Sequence, residues 1–133
     1  MAAVGSVDVE LEVIQWLQAK FGDDVVVRDE TDNNLLDELP TVQVQRVPAG
    51  GDDGFRLDRA FIDIDVYAAT RGEAIALSAT IRGWLMTELA GSATESAVFG
   101  RIQSNPPPAA RSYENTALRR VGGTYQIYSH PVS

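Results

Sequence analysis

The stretch Arg59-Ala60-Phe61-Ile62-Asp63-Ile64-Asp65-Val66-Tyr67 alternates apolar and polar side chains, and it decides the fold expected for the rest of the chain. Alternation over this length is typical of a β-strand with one buried face. Residues 41–47, TVQVQRV, alternate in the same way, and a Gly/Asp-rich segment separates the two. The sequence therefore predicts an antiparallel hairpin with aliphatic side chains on its buried face and Asp63 and Asp65 on the opposite face.

Two amphipathic helices are predicted, one before this hairpin and one after it. Apolar residues recur every three or four positions from about Ser6 or Asp8 to Phe21, and Gly22 follows as a stop signal. The second helix begins at Thr70, which has Glu73 three positions later in the arrangement of a capping box. It runs to about Leu89, and Gly91 is placed to end it. Both apolar stripes are expected to pack on one face of the sheet.

The remaining segments read as short strands, loops and tails. Strands are predicted at residues 25–27, 97–103 and 119–129, and the three prolines of 105–108 predict an extended connection. Residues 29–40 and 48–58 are expected to be long loops, and residues 1–5 and 130–133 flexible tails. The sheet face away from the helices is expected to carry Gln43, Gln45, Asp63, Asp65, Arg101 and Arg120, together with Phe61, Phe99 and Tyr128.

The order of elements is therefore α-β-β-β-α-β-β over a single domain, residues 1–133. Because the strands come in clusters and do not alternate with helices, the class is α+β. We expect a mainly antiparallel sheet of about five strands, with two helices packed on one face.

The charge and composition exclude several classes of protein. The net charge of −8 argues against specific nucleic-acid binding, which usually needs a basic surface. The chain has no cysteine and one histidine, His130, and it has no apolar run long enough to span a membrane. Residues 1–70 hold 5 basic and 15 acidic side chains, whereas residues 71–133 hold 6 and 4. Such asymmetry favours head-to-tail association between copies of one chain, although solvated acidic loops would give the same pattern.

No motif in the sequence indicates an active site. Asp63 and Asp65 share a strand face and could hold Mg²⁺, but solvated carboxylates or salt bridges to Arg101 or Arg120 explain them better. Asp52, Asp53 and Asp58 lack the spacing of a calcium loop. No Gly-x-Ser-x-Gly elbow is present to work with His130. The sequence thus predicts no enzyme activity, no cofactor and no metal.

The chain nevertheless resembles a known family in the order of its segments. The matching pieces are LPTVQVQR (39–46), LDRAFIDIDVYA (57–68) and RRVGGTYQI (119–127), with a helix before them and an alanine-rich helix between the last two. Over roughly residues 8–129 this is similar to the tail terminator, or tail completion, proteins of long-tailed phages that infect actinobacteria. None of these pieces is a catalytic motif.

The resemblance implies a structural role in the virion of a siphovirus. Such proteins form a ring, usually a homo-hexamer, that caps the tail tube and docks it to the head–neck connector. The implied partners are further copies of the chain, the tail tube protein and the head–tail connector protein. DNA passes only in transit, and no membrane, enzyme activity or cofactor is implied. The protein would be made in the host cytoplasm.

Candidate residues follow from this role. Six copies would carry a charge of −48, and acids lining the channel would keep passing DNA from sticking. The expected channel-lining residues are Asp52, Asp53, Asp63 and Asp65. The expected subunit interface consists of Asp52, Asp53, Phe55, Arg56, Arg119 and Arg120, the two final arginines facing acids of a neighbouring copy.

Three alternatives stay open at this stage. The chain could be another head–tail connector component of the neck, a small metal-dependent hydrolase using Asp63 and Asp65, or a generic binding module of the host. The mass in solution, metal-binding calorimetry and gene neighbourhood would separate them.

Overall fold

The computed structural model describes residues 7–30, 35–52, 58–104, 106–111 and 117–132. Within them, two α-helices cover one face of a six-stranded sheet, which confirms the α+β class. The helices are α1 (Val9–Phe21) and α2 (Arg71–Trp84), the latter continuing as a π-helical turn (Leu85–Leu89). A short 3-10 helix spans Leu35–Glu38. The strands are β1 (Val26–Arg28), β2 (Thr41–Asp52), β3 (Asp58–Ala68), β4 (Ala97–Ser104), β5 (Ala109–Arg111) and β6 (Arg119–Pro131).

The strands are ordered β1-β2-β3-β6-β4, and β5 lies beside β6 in the same lane as β4. All described pairs are antiparallel except β1 with β2. The hairpin of β2 and β3 forms as predicted, and β3 and β6 pair along the full length of β3, from Asp58–Ser129 to Ala68–Arg119. These two long central strands organise the molecule.

Both helices begin and end where the capping residues predict. The side chain of Asp8 accepts a hydrogen bond from the Leu11 amide (3.0 Å), and that of Thr70 accepts one from the Glu73 amide (3.1 Å). Gly22 and Gly91 follow the helices with positive φ angles of 63° and 80°, which residues other than glycine rarely adopt.

The core lies between the helices and the sheet. The helices contribute buried side chains at helical spacing, and each central strand contributes every second residue; the largest are Val9, Val13, Leu17, Ile62, Ile81, Leu85, Leu89, Phe99, Tyr125 and Ile127. The two helices meet where the rings of Phe21 and Trp84 lie 4.9 Å apart between centroids. This burial is the main source of stability, since apolar area removed from water contributes about 25 cal/mol per Å².

Two predicted loops are shorter than expected. Residues 48–52 extend β2 and Asp58 begins β3, because a register shift between Arg46 and Gly50 accommodates Pro48 without ending the strand. Within 29–40, the 3-10 helix forms because Leu35 is buried against the sheet face away from the helices. Residues 31–34 lie outside the described part.

The C-terminal part of the chain also differs from the prediction. Residues after the prolines form the additional strand β5, so the sheet has six strands where about five were expected. His130 and Pro131 pair with Val98 and Ala97 of β4, so they are not a flexible tail. Residues 1–5 and Ser133 lie outside the described residues.

One aromatic residue was placed on the wrong face. Phe99 is 1% exposed in the helix-side core, although its spacing from Arg101 suggested the polar face. A register shift between Phe99 and Ile102 leaves Gly100 and Arg101 both exposed, so the alternation changes phase at this point.

Candidate functional site

A cluster of charged residues occupies the sheet face away from the helices. The Asp65 carboxylate on β3 accepts hydrogen bonds from Arg120 on β6 (Nε 3.1 Å, Nη2 3.0 Å) and from Arg111 on β5 (Nη1 3.1 Å). We call these three residues the arginine cluster. Asp65 is 3% exposed, and each arginine side chain is 27% exposed. One carboxylate therefore serves two arginines, and the cluster carries a net charge of about +1.

The electrostatics of the cluster follow from this geometry. The hydrogen bond from Arg120 to Asp65 raises the pKa of the arginine above its ordinary value, while partial burial opposes the shift. Arg120 also lies over the ring of Tyr67, with the guanidinium carbon 5.8 Å from the ring centroid. A salt bridge to Arg120 is one of the interpretations offered above for Asp65, and the structure confirms it.

The glycine pair of β6 makes room for this arrangement. A Cβ at Gly122 would lie 1.8 Å from Oδ1 of Asp65, so any side chain there would displace the carboxylate. On the other face of the strand, a Cβ at Gly123 would lie 2.8 Å from the backbone nitrogen of Pro108. The proline segment also accepts a backbone hydrogen bond from Thr124 through Pro106 (3.1 Å). The lack of a side chain at Gly122 thus leaves room for the arginine cluster, and its lack at Gly123 leaves room for the proline segment.

A small apolar cluster closes one end of this sheet face. Leu35 of the 3-10 helix, Tyr67 and Leu118 are buried together, and Leu39 packs against them. The hydroxyl of Tyr67 donates a hydrogen bond to Oε1 of Gln43 (3.0 Å). Because this end is covered, Asp65 and Tyr67 are as buried as residues of the main core.

The other end of the same face is more open and carries a mixture of charged, neutral polar and aromatic side chains. The Thr124 hydroxyl donates a hydrogen bond to Asp63, and Nε2 of Gln126 donates one to the Tyr128 hydroxyl (2.8 Å). The guanidinium carbon of Arg59 lies 5.6 Å from the centroid of the half-buried Phe61 ring. The side chains at this end therefore contact one another.

This arrangement does not suit a hydrolytic metal centre at Asp63 and Asp65. Asp65 is occupied by two cations and Asp63 by a hydroxyl, so neither carboxylate is placed to share a divalent ion. In the residues that the structure describes, no group of three or more His, Cys, Asp or Glu side chains could hold a metal. The imidazole of His130 lies exposed at the end of β6, with Nδ1 2.9 Å from the Pro131 carbonyl oxygen.

The remaining predicted site residues are distributed as follows. Arg119 is exposed at the start of β6 and donates a hydrogen bond to the Leu118 carbonyl (3.2 Å), whereas Arg120 pairs within the chain. The side chain of Asp52, and Asp53, Phe55 and Arg56 altogether, lie outside the described residues.

Sequence reasoning missed Arg111, which joins Asp65 from a strand 46 residues further along the chain. The one signal available was the position of this arginine three residues after the last proline. That signal could not identify its partner, because the partner depends on how the proline segment places β5 beside β6.

Within the described residues, no helix is long and apolar enough to cross a membrane. No curated protein sequence matches the chain. A family model described as "Phage tail termination protein" matches residues 5–105, which is most of the chain. The match includes both helices, the β2–β3 hairpin and β4, and it ends before β5 and β6. The chain therefore belongs to the phage tail termination protein family, a family of virion components.

Proposed function

We propose that this protein forms a ring, most simply a homo-hexamer, that caps the finished tail tube of a siphovirus and joins it to the head–neck connector. The observation that carries the proposal is the family match over residues 5–105. The proposed partners are other copies of the chain, the tail tube protein and the connector protein. The protein is made in the host cytoplasm and acts at the neck of the virion.

The character of the polar sheet face supports an assembly role. Asp65 is bound by arginines of its own chain. The half-buried Phe61 and Tyr128 present aromatic surface, and the Tyr128 hydroxyl is bound to the amide of Gln126; such a mixture is common in protein–protein contacts. An enzyme of this size would instead need titratable groups converging on an open pocket.

We propose further that DNA passes through the ring in transit, without specific binding. The net charge of −8 per chain supports this, because like charges repel and a negative lining lowers adhesion. Of the acids expected to line the channel, Asp63 and the pair Asp52 and Asp53 keep that role in the proposal. Asp65 does not, because two arginines of its own chain offset its charge.

The mass in solution and the shape of the particle test the ring. Light scattering of the purified chain is expected to give about six times the 14.4 kDa of one copy, and negative-stain images are expected to show rings with a central hole. A chain that stays monomeric at high concentration, and does not form rings when tail tube protein is added, would overturn the proposal.

A further inference from the structure

A single row of paired residues crosses the whole sheet and joins two edges of opposite charge. Val26 of β1 pairs with Thr41, Thr41 with Tyr67, Tyr67 with Arg120, and Arg120 with Arg111 of β5. These four steps span about 19 Å at the usual strand spacing of about 4.8 Å. The row begins beside the residues that flank β1 and ends at the arginine cluster.

The β1 end of the row is acidic. Four carboxylates flank this three-residue strand, and all are exposed: Asp23, Asp24, Asp29 and Glu30. We call these four residues the acid edge. None of them makes an ion pair with another residue that the structure describes. The acid edge therefore carries four carboxylates, and Arg28 of β1, which lies between them in the sequence, pairs with Glu38.

The β5 end of the row is basic. Arg111 and Arg120 share the single carboxylate of Asp65 and keep part of their surface exposed, and Arg119 is exposed beside them at the start of β6. We call the three arginines the arginine end. Its charge has the opposite sign to that of the acid edge, whose carboxylates lie two to four residues along the chain on either side of Val26.

Part of the backbone is already engaged at β1 and at β4, the strand that shares a lane with β5, which favours a contact made by side chains. The Val27 carbonyl at the middle of β1 accepts a hydrogen bond from Nε2 of Gln18 (2.9 Å). On the other border, the Phe99 amide of β4 donates to the Ser92 carbonyl (2.8 Å) and the Thr94 amide donates to the Ala97 carbonyl (2.8 Å). Short, capped edges of this kind resist strand addition.

We propose that the acid edge of one copy docks against the arginine end of the next copy, so that subunits associate head to tail. The inference rests on the proposed ring and assigns its subunit contact. Unlike patches attract, and a contact between two different surfaces of one chain generates a ring when its rotation closes. The surplus positive charge of the arginine cluster is then balanced by a carboxylate of the neighbouring copy.

Charge reversal with complementation tests this assignment. The acid-edge variant carries Asp29→Lys and Glu30→Lys, and the arginine-end variant carries Arg111→Glu and Arg119→Glu. Each variant alone places like charges at the contact, so each is expected to need at least ~10-fold higher concentration than wild type to assemble, because such juxtaposition costs several kcal/mol. Mixed in equal amounts, the two variants present complementary contacts and are expected to assemble again as alternating rings.

Two controls keep the result specific. Glu73→Lys with Glu95→Lys makes the same change in net charge as the acid-edge variant, at residues that belong to neither end of the row, and it is expected to assemble like wild type. Arg119→Glu alone leaves the pairing of Asp65 intact. It is the test to use if the arginine-end variant fails to fold, and it is expected to weaken assembly. Near-UV circular dichroism checks the fold of each variant.

The outcomes separate this inference from the proposed function. Wild-type rings together with acid-edge and arginine-end variants that assemble normally would overturn the contact and leave the ring standing. Loss of assembly in the Glu73/Glu95 control as well would also overturn the contact, since the effect would then follow net charge alone. A wild-type chain that never assembles would overturn both.

Discussion

The two faces of strands β3 and β6 are equally buried at one end of the sheet, but one is lined by apolar side chains and the other by hydrogen-bonded and charged side chains. Toward the helices, Ile62, Ile64 and Val66 are at most 2% exposed and pack among apolar side chains. On the opposite face, Asp65 and Tyr67 are 3% exposed and are held by hydrogen bonds and ion pairs. A side chain on the first face needs only apolar neighbours, whereas each on the second needs one particular partner.

This difference determines how each face responds to substitution. An apolar site can relax around a small change, but a buried charge that loses its partner remains desolvated and uncompensated. Variants on the polar face should therefore cost more than their size suggests.

Breaking the arginine cluster at its centre is expected to have the largest effect. Asp65→Asn removes the carboxylate that joins Arg111 and Arg120 and leaves two like charges together. We expect the free energy of unfolding to fall by about 3 kcal/mol, the low end for breaking a buried pair, because both guanidinium groups are partly hydrated.

The matched control is Asp58→Asn, because Asp58 is also 3% exposed but pairs with one arginine, Arg46, through two bonds of 2.9 and 3.1 Å. Its loss leaves a single cation, and a smaller cost of about 2 kcal/mol is expected from urea unfolding. Equal costs at the two sites would contradict the view that the cluster holds a surplus positive charge.

Filling the space at Gly122 attacks the same cluster by steric means. The Cβ of Gly122→Ala would lie 1.8 Å from Oδ1 of Asp65, and overpacking of this kind costs about 1–3 kcal/mol. Gly100→Ala is the control, because the nearest atom would be 3.8 Å away. Thermal unfolding should show a lower Tm for the first variant and a small change for the second; a neutral Gly122→Ala would mean that the cluster is loosely held.

The helix-side face contains one group whose ionisation sharpens the comparison. Burial raises the pKa of Tyr125 to about 12, from 10.0. Because the folded state holds this proton more tightly than the unfolded state, the contribution is complete below pH 10 and is lost as the pH rises from 10 toward 12. The loss amounts to about 3 kcal/mol. Tyr125→Phe should remove this alkaline dependence in urea unfolding at pH 9–12; an unchanged slope would contradict it.

The smallest expected effect lies in the interior of α2, where Gly83 has open space around the position of a Cβ. Gly83→Ala restricts the unfolded chain and favours the helix, so a stability gain of about 0.5–1 kcal/mol is expected in urea unfolding. A loss of stability would contradict this expectation. Weaker assembly without a loss of stability would indicate that a neighbouring molecule packs against this glycine.

The helix-side face could be predicted from the sequence because its signals are local. The alternation of β3, the caps at Asp8 and Thr70 and the stop signals at Gly22 and Gly91 all act within a few residues. Phe99 was misplaced because a bulge changes the phase of alternation, and nothing in the local pattern marks it.

The arginine cluster could be predicted only in part, because it depends on segments far apart in the chain. Asp65 and Arg120 each had a visible charge and a strand position, so their pairing was open to inference. Arg111 comes from a three-residue strand that exists only through pairing with β6. The interface residues expected in the 53–57 segment stay predictions.

Binding to tail tubes tests the central claim most directly. Purified protein carrying a gold label on its N-terminus is mixed with assembled tubes of the tail tube protein and imaged by negative stain. The account predicts label at one end of each tube, in the form of a ring that stops further growth. Label along the tube walls, or no binding while the tubes continue to lengthen, would contradict it.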